Sequence, residues 1–222
     1  MKNLIKSVLV ASALVLGNEA YAQVRLGIKA GINASTIHIP ALESGVSVEP
    51  QVAFQGGVLL DMPMTKSFSL QPALLISTKG SKVNSLLIDG NSGSVISPIN
   101  NSIKLVYAEI PVLALFRGRI SQSIRFYGGV GPYVGIGLGG RLSSSYAPIA
   151  ERDVVFGSGD IGNNSFRRVD YGASAAAGIE LKRLSVGVNY NYGLVDLGSA
   201  LIKSYHRTLG ITAGFWLAKP HL

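Results

Sequence analysis

The sequence predicts an all-β protein, an eight-stranded antiparallel up-and-down transmembrane β-barrel. Three observations carry this. The chain is apolar for its length, with a mean hydropathy of +0.35 and 14% charged residues, yet past its first 22 residues no stretch approaches about 18 consecutive apolar residues. Its apolar residues recur instead at every second position in eight segments. The connections between those segments alternate between short and long, as they do in barrels of bacterial outer membranes.

The chain opens MKNLIKSVLVASALVLGNEAYAQ. Lys2 and Lys6 supply a positive n-region, Ser7 to Gly17 an apolar h-region, and Ala20-Tyr21-Ala22 a small-residue cleavage site. Residues 1–22 read as a secretory signal peptide and residues 23–222 as one barrel domain. Cysteine is absent, which excludes disulfides, thiol nucleophiles and cysteine-held metal from an exported chain. The net charge of +8 comes from scattered residues with no Lys/Arg run, so nucleic acid is not an expected partner.

The first segment is VRLGIKAGIN (24–33), with Val24, Leu26, Ile28, Ala30 and Ile32 on one face and Arg25, Lys29 and Asn33 on the other. In 52–62 the even positions are apolar, opposite Gln55 and Asp61. In 68–78, Phe68, Leu70, Leu74 and Ile76 oppose Ser69, Gln71 and Ser77. In 103–117, Val106, Ile110, Val112 and Phe116 oppose Tyr107, Glu109 and Arg117. The fifth segment, from Ser123, sets Ile124, Phe126, Val130, Val134, Ile136 and Leu138 against Arg125, Tyr127 and Tyr133. In 168–182, Val169, Tyr171, Ile179 and Leu181 oppose Asp170, Ser174 and Glu180; 184–195 and 205–217 complete the set.

Only Lys104 and Arg207 place charge on the apolar faces, at expected segment ends. A charge at the middle of a lipid-facing strand costs about 2–4 kcal/mol, which accounts for the vacancy elsewhere. Short turns are expected at 63–67, 118–122 and around 182–184, and long polar loops at 34–50, 80–102 and 140–167. With the short turns periplasmic, outward Phe68, Phe116, Phe126 and Phe215 fall at one membrane boundary. Phe54, Tyr171, Tyr190, Tyr192 and Tyr205 fall at the other. Pro72, Pro111 and Pro132 lie inside strands, where a missing N–H calls for a bulge or an end of pairing.

LGIKAGINAST (26–36), the Tyr107–Pro111 stretch YAEIP, GVGPYVG (129–135), DYGASAAAGIEL (170–181) and NYNYGLVDLG (189–198) together resemble the PorT-like family of outer-membrane β-barrel proteins. The resemblance spans nearly all of the chain after the leader and implies an eight-stranded barrel in the outer membrane of a Gram-negative bacterium. It leaves the activity open. The chain departs from the common barrel ending by running past Phe215 and Trp216 to AKPHL.

The inward faces carry the candidate functional residues. Arg25, Lys29, Asp61, Glu109, Arg125, Asp170 and Glu180, with Arg117 and Lys182, are expected to form a polar network in a lumen that eight strands leave just wide enough for side chains. Glu109, Arg125 and Asp170, on successive strands, are the first expected contacts. Within FYGGVGPYVGIGLGG (126–140), GIGLGG matches the dinucleotide-binding pattern G-x-G-x-x-G. There the pattern must open a helix, whereas here it lies inside a strand. Gly129, Gly131, Gly135, Gly137 and Gly139 read instead as lumen glycines that leave room for bulky residues from opposing strands.

No cofactor or metal site is expected. His206, with Ser199 and Ser204 nearby, is the one candidate for catalysis, but no H-E-x-x-H, G-x-S-x-G or carboxylate dyad accompanies it, so no enzyme is expected. The expected function is that of a monomeric barrel with a plugged lumen and a structural or loop-mediated role. The expected partners are outer-membrane lipid and, at the loops, lipopolysaccharide or a surface or periplasmic protein. The alternatives are a narrow pore or secretion-associated component, and then a rim-site membrane enzyme.

Overall fold

A computed structural model describes residues 24–38, 47–88, 95–145, 151–157, 165–196 and 204–217. The expected leader, His221, Ser199 and parts of the three long connections lie outside the described residues. Among the described residues eleven strands follow in order: β1 (Arg25–His38), β2 (Ser47–Pro63), β3 (Phe68–Ile88), β4 (Val95–Arg119), β5 (Ile124–Ser144), β6 (Glu151–Asp153), β7 (Val155–Gly157), β8 (Ser165–Arg167), β9 (Val169–Leu181), β10 (Leu184–Gly193) and β11 (Tyr205–Trp216).

Sequential antiparallel pairing runs from β4 through β3, β2, β1, β11, β10 and β9 to β5, and a β4–β5 ladder closes the ring. The eight long strands form a closed antiparallel barrel. Strand β6 extends β5 above the rim, while β7 and β8 form a small parallel pair. Closure leaves no open sheet edge, the condition for placing strands in lipid.

The alternation read from sequence is the alternation of burial. Along β1, Leu26, Ile28 and Ile32 are exposed, and Arg25, Asn33 and Ser35 are buried. The outer wall is apolar throughout, with Val52, Phe54, Val58, Leu74, Ile110, Val130, Ile136, Val188 and Ile211 exposed. Phe68 pairs with Phe116, whose ring lies 6.1 Å from that of Phe126, and Phe215 sits between Ile28 and Leu184. These phenylalanines occupy the end that carries the short turns at 64–67, 120–123 and 182–183.

Strands extend well into the segments expected as loops. β3 runs for 21 residues and β4 for 25, so most of 80–102 is paired strand. Apolar alternation reports only the lipid-embedded part of a strand. Above the headgroups a ladder continues with polar residues on both faces, as in Ser81, Lys82 and Asn84, and the period-two signal disappears before the pairing does. Lys104 consequently lies within β4, beside Arg141 of β5. The 140–167 connection holds the end of β5 together with β6, β7 and β8.

Pro72, Pro111 and Pro132 do not shift the register. Pairing lapses beside them instead: the β3–β4 ladder skips from Pro72–Val112 to Leu75–Glu109, and the β4–β5 ladder from Pro111–Tyr133 to Ala114–Val130, in the same alignment on both sides of each gap. The register shifts fall elsewhere, between Pro50 and Gln55, Leu87 and Ile88, and Val106 and Tyr107. The last corrects one expectation. Tyr107 pairs with Gly137 but Val106 pairs with Gly139, so the extra residue of β5 rotates Gly139 out of the lumen set. A Cβ at Gly139 would meet nothing within 4 Å. Lys182 is corrected as well: it occupies the exposed two-residue turn between β9 and β10 with φ of 54°, and does not face the lumen.

Candidate functional site: the barrel interior

At the short-turn end, three strand termini bring arginines to two carboxylates. Arg25 Nε donates to Asp61 Oδ2 at 2.9 Å and its Nη2 lies 2.5 Å from the same oxygen. The register sets this contact, because Arg25 and Asp61 are directly paired across β1 and β2. Arg117 Nη1 reaches Asp61 Oδ1 at 2.9 Å and also donates to the Ser69 hydroxyl, while its Nε lies 3.1 Å from Glu180 Oε1. Arg125, paired with Glu180 across β5 and β9, reaches Glu180 Oε2 at 3.3 Å. The Arg25 guanidinium lies 4.3 Å from the centroid of the Trp216 ring, which seals that side.

Above this cluster Lys29, Gln71, Tyr127, Glu180 and Trp216 surround a cavity of about 20 Å³, room for roughly one water. The next level is neutral. Gln55 Nε2 donates to Asn189 Oδ1 at 2.9 Å, Ser174 donates to Asn191 at 2.7 Å, and the Ser35 and Thr208 hydroxyls meet at 3.3 Å.

The second charged cluster lies toward the long-loop end. Lys79 Nζ sits 2.5 Å from Glu109 Oε1 and 2.8 Å from Asp170 Oδ2. All three residues are no more than 1% exposed. Tyr133 donates to Asp170 Oδ2 at 3.2 Å, and the ammonium lies 4.6 Å and 5.3 Å from the Tyr133 and Tyr107 ring centroids. An ion pair removed from water this fully is sustained only with several partners at close range, which the two carboxylates and two rings provide.

An apolar layer covers that cluster. Leu105, Tyr107, Val154 and Phe166 form a buried group, with Ile103, Leu142 and Phe156 packed against it. The connection between β5 and β9 thus folds back over the barrel mouth, and the Phe156 ring meets Tyr107 edge-on at 5.9 Å. Outside this cap, Arg167, Arg168, Tyr171, Leu194 and Asp196 border an open recess of about 570 Å³.

The expected Glu109–Arg125–Asp170 contact does not form. Register places Arg125 opposite Glu180 near the short-turn end and Asp170 opposite Gly135 far along the same strand, so Glu109 and Asp170 meet through Lys79 and Arg125 joins the other cluster. Lys79 is the residue that sequence reading missed. It lies one residue past the alternating segment 68–78, although Leu75, Ser77 and Lys79 continue one inward series.

Of the five β5 glycines expected to face inward, four line the interior. A Cβ on Gly135 would lie 3.3 Å from Glu109 Cγ and one on Gly129 would lie 2.7 Å from Leu115 Cδ2; at Gly137 it would enter the Phe156 ring, and at Gly131 the Val112 carbonyl. His206 is 1% exposed, stacks edge-on with Tyr107 at 5.6 Å, and its Nε2 lies 3.4 Å from Tyr107 Oη. The Ser204 hydroxyl makes no hydrogen bond among the described residues. Among the described residues Ser204 and His206 therefore form no hydrogen-bonded pair.

Among solved structures the fold is similar to Ail, the attachment invasion locus protein of Yersinia pestis, crystallised with the heparin analogue sucrose octasulfate (14% identity, 87% of this chain and 99% of that one, TM-score 0.42). It is also similar to OprG of Pseudomonas aeruginosa (11% identity, 87% and 94% coverage, TM-score 0.37) and to Neisserial surface protein A (10%, 86% and 96%, TM-score 0.40). No curated protein matches. The family described as the outer membrane protein beta-barrel domain matches residues 18–198, the span that holds the first seven barrel strands. The chain belongs to this family and is a β-barrel protein of the Gram-negative outer membrane.

Proposed function

We propose that the protein is a barrel closed to ions along its axis, acting through its lipid-facing wall and its external loops. The observation that carries this reading is Lys79, held between Glu109 and Asp170 and flanked by the Tyr107 and Tyr133 rings. A permeating ion would have to displace a buried, multiply held cation or pass a space without room for it. The apolar layer of Leu105, Tyr107 and Phe166 adds a dry barrier in series. The recess bordered by Arg167 and Arg168 supports a loop-mediated contact with an anionic surface group, of which lipopolysaccharide in the same leaflet is the nearest source. The PorT-like resemblance is the finer family reading, and the role is taken to be non-enzymatic and the barrel monomeric.

Planar-bilayer recording tests the closed lumen. The purified protein is expected to give no steady unitary conductance, and reproducible channels that persist across preparations would establish the pore reading instead.

A further inference from the structure

The short-turn end holds a feature that neither the closed wall nor the external loops use. A cavity of about 420 Å³ opens there, bordered by Arg25, Lys66, Arg117, Arg125, Asp61 and Ser69. In the outer membrane this end faces the periplasm. Its size lies within the usual range of small-molecule sites. Among the described residues arginine outnumbers carboxylate at its floor, since Arg25, Arg117 and Arg125 face Asp61 and Glu180, and Lys66 adds a further cation at the rim. Arg25 is 5% exposed and Arg117 7%. Arg25 Nη1 and Arg117 Nη2 lie beneath the cavity surface without a hydrogen-bond partner among the described residues, and Asp61 Oδ1 and Glu180 Oε2 have only their ion-pair contacts. Guanidinium N–H groups removed from water and left unpaired are costly, and surplus positive charge at such depth adds to the cost.

We propose that this periplasmic mouth binds a small oxyanion, a phosphate or carboxylate group, on the accessible Arg125 and Lys66, with the buried Arg25 and Arg117 supplying positive charge behind them. Guanidinium forks match both groups in bidentate geometry, and Arg125 and Lys66 stand where they meet a ligand arriving from the periplasm. The Ser69 hydroxyl, fixed by Arg117, lies at the same floor. The site is independent of whether the lumen conducts, because it lies below the central layers.

Titration calorimetry of the folded protein in an uncharged maltoside detergent tests this, with inorganic phosphate in one arm and succinate in the other. Saturable binding of either anion is expected, and the arm that saturates identifies the group. Arg125→Gln and Lys66→Gln should each weaken it by roughly tenfold, the size of a lost charge-assisted hydrogen bond. Neither change should disturb the fold, since Glu180 keeps Arg117 at 3.1 Å and Lys66 is an exposed turn residue. Arg141→Gln, at the opposite end, should bind as the parent does. Failure of both anions to saturate, or equal affinity in Arg125→Gln and Lys66→Gln, would overturn the proposal.

Discussion

Lys79 Nζ lies 2.5 Å from Glu109 Oε1, and this pair joins neighbouring strands β3 and β4 inside the barrel. The two residues are not directly opposite each other. Glu109 pairs with Leu75 and Lys79 with Leu105, so the long lysine stem reaches back along its own strand to the carboxylate. Asp170 approaches the same ammonium from β9. One cation thus holds carboxylates from two other strands.

Replacing Lys79 with Met should leave Glu109 and Asp170 buried without a cation and destabilise the barrel by about 3–5 kcal/mol. Combining Lys79→Met with Glu109→Gln and Asp170→Asn should recover most of that loss, because no unpaired charge then remains. Urea unfolding followed by the heat-modifiable gel shift measures both.

Two glycines of β5 should behave oppositely. At Gly131 a Cβ would fall against the Val112 carbonyl, a backbone atom that cannot rotate away. Gly131→Ala is expected to cost about 1–3 kcal/mol, as overpacking does. Gly139→Ala should stay within about 0.5 kcal/mol, since its Cβ would meet open space. A Gly139→Ala loss as large as that at Gly131 would contradict the outward rotation at the Val106–Tyr107 bulge.

Trp216 is the sole tryptophan of the chain and is 2% exposed. Its emission should resist acrylamide in the folded protein and report on the arginine cluster alone. Arg25→Ala removes the cation over the ring, worth about 0.5–2 kcal/mol, and should open the indole to quencher. Quenching identical to the parent would show that Arg25 does not shield the ring.

Phe166 is fully buried against Leu105 and Tyr107. Phe166→Ala should loosen the connection between β5 and β9 at a local cost of about 3–5 kcal/mol, the usual range for a buried phenylalanine. Trypsin should then cut after Arg152, Arg167 or Arg168 more rapidly, with the barrel itself still intact by gel shift. Unchanged proteolysis would show that the cap does not hold the connection down.

The sequence alone determined the wall. Membrane strands need one apolar face, and a closed ring of them needs no partner segment to be known in advance, so Ile28, Val58, Ile136 and Ile211 could be assigned outward from spacing. The same parity assigned Arg25, Asp61, Glu109, Asp170 and Glu180 inward. It could not say which of them touch. That depends on stagger between strands, on the bulge that turned Gly139 away, and on the reach of side chains such as Lys79 across a narrow lumen. The extent of β3 and β4 beyond the bilayer was equally hidden, because backbone pairing in water requires no apolar face. Period two fixes the direction of a side chain; only the closed register fixes its partner.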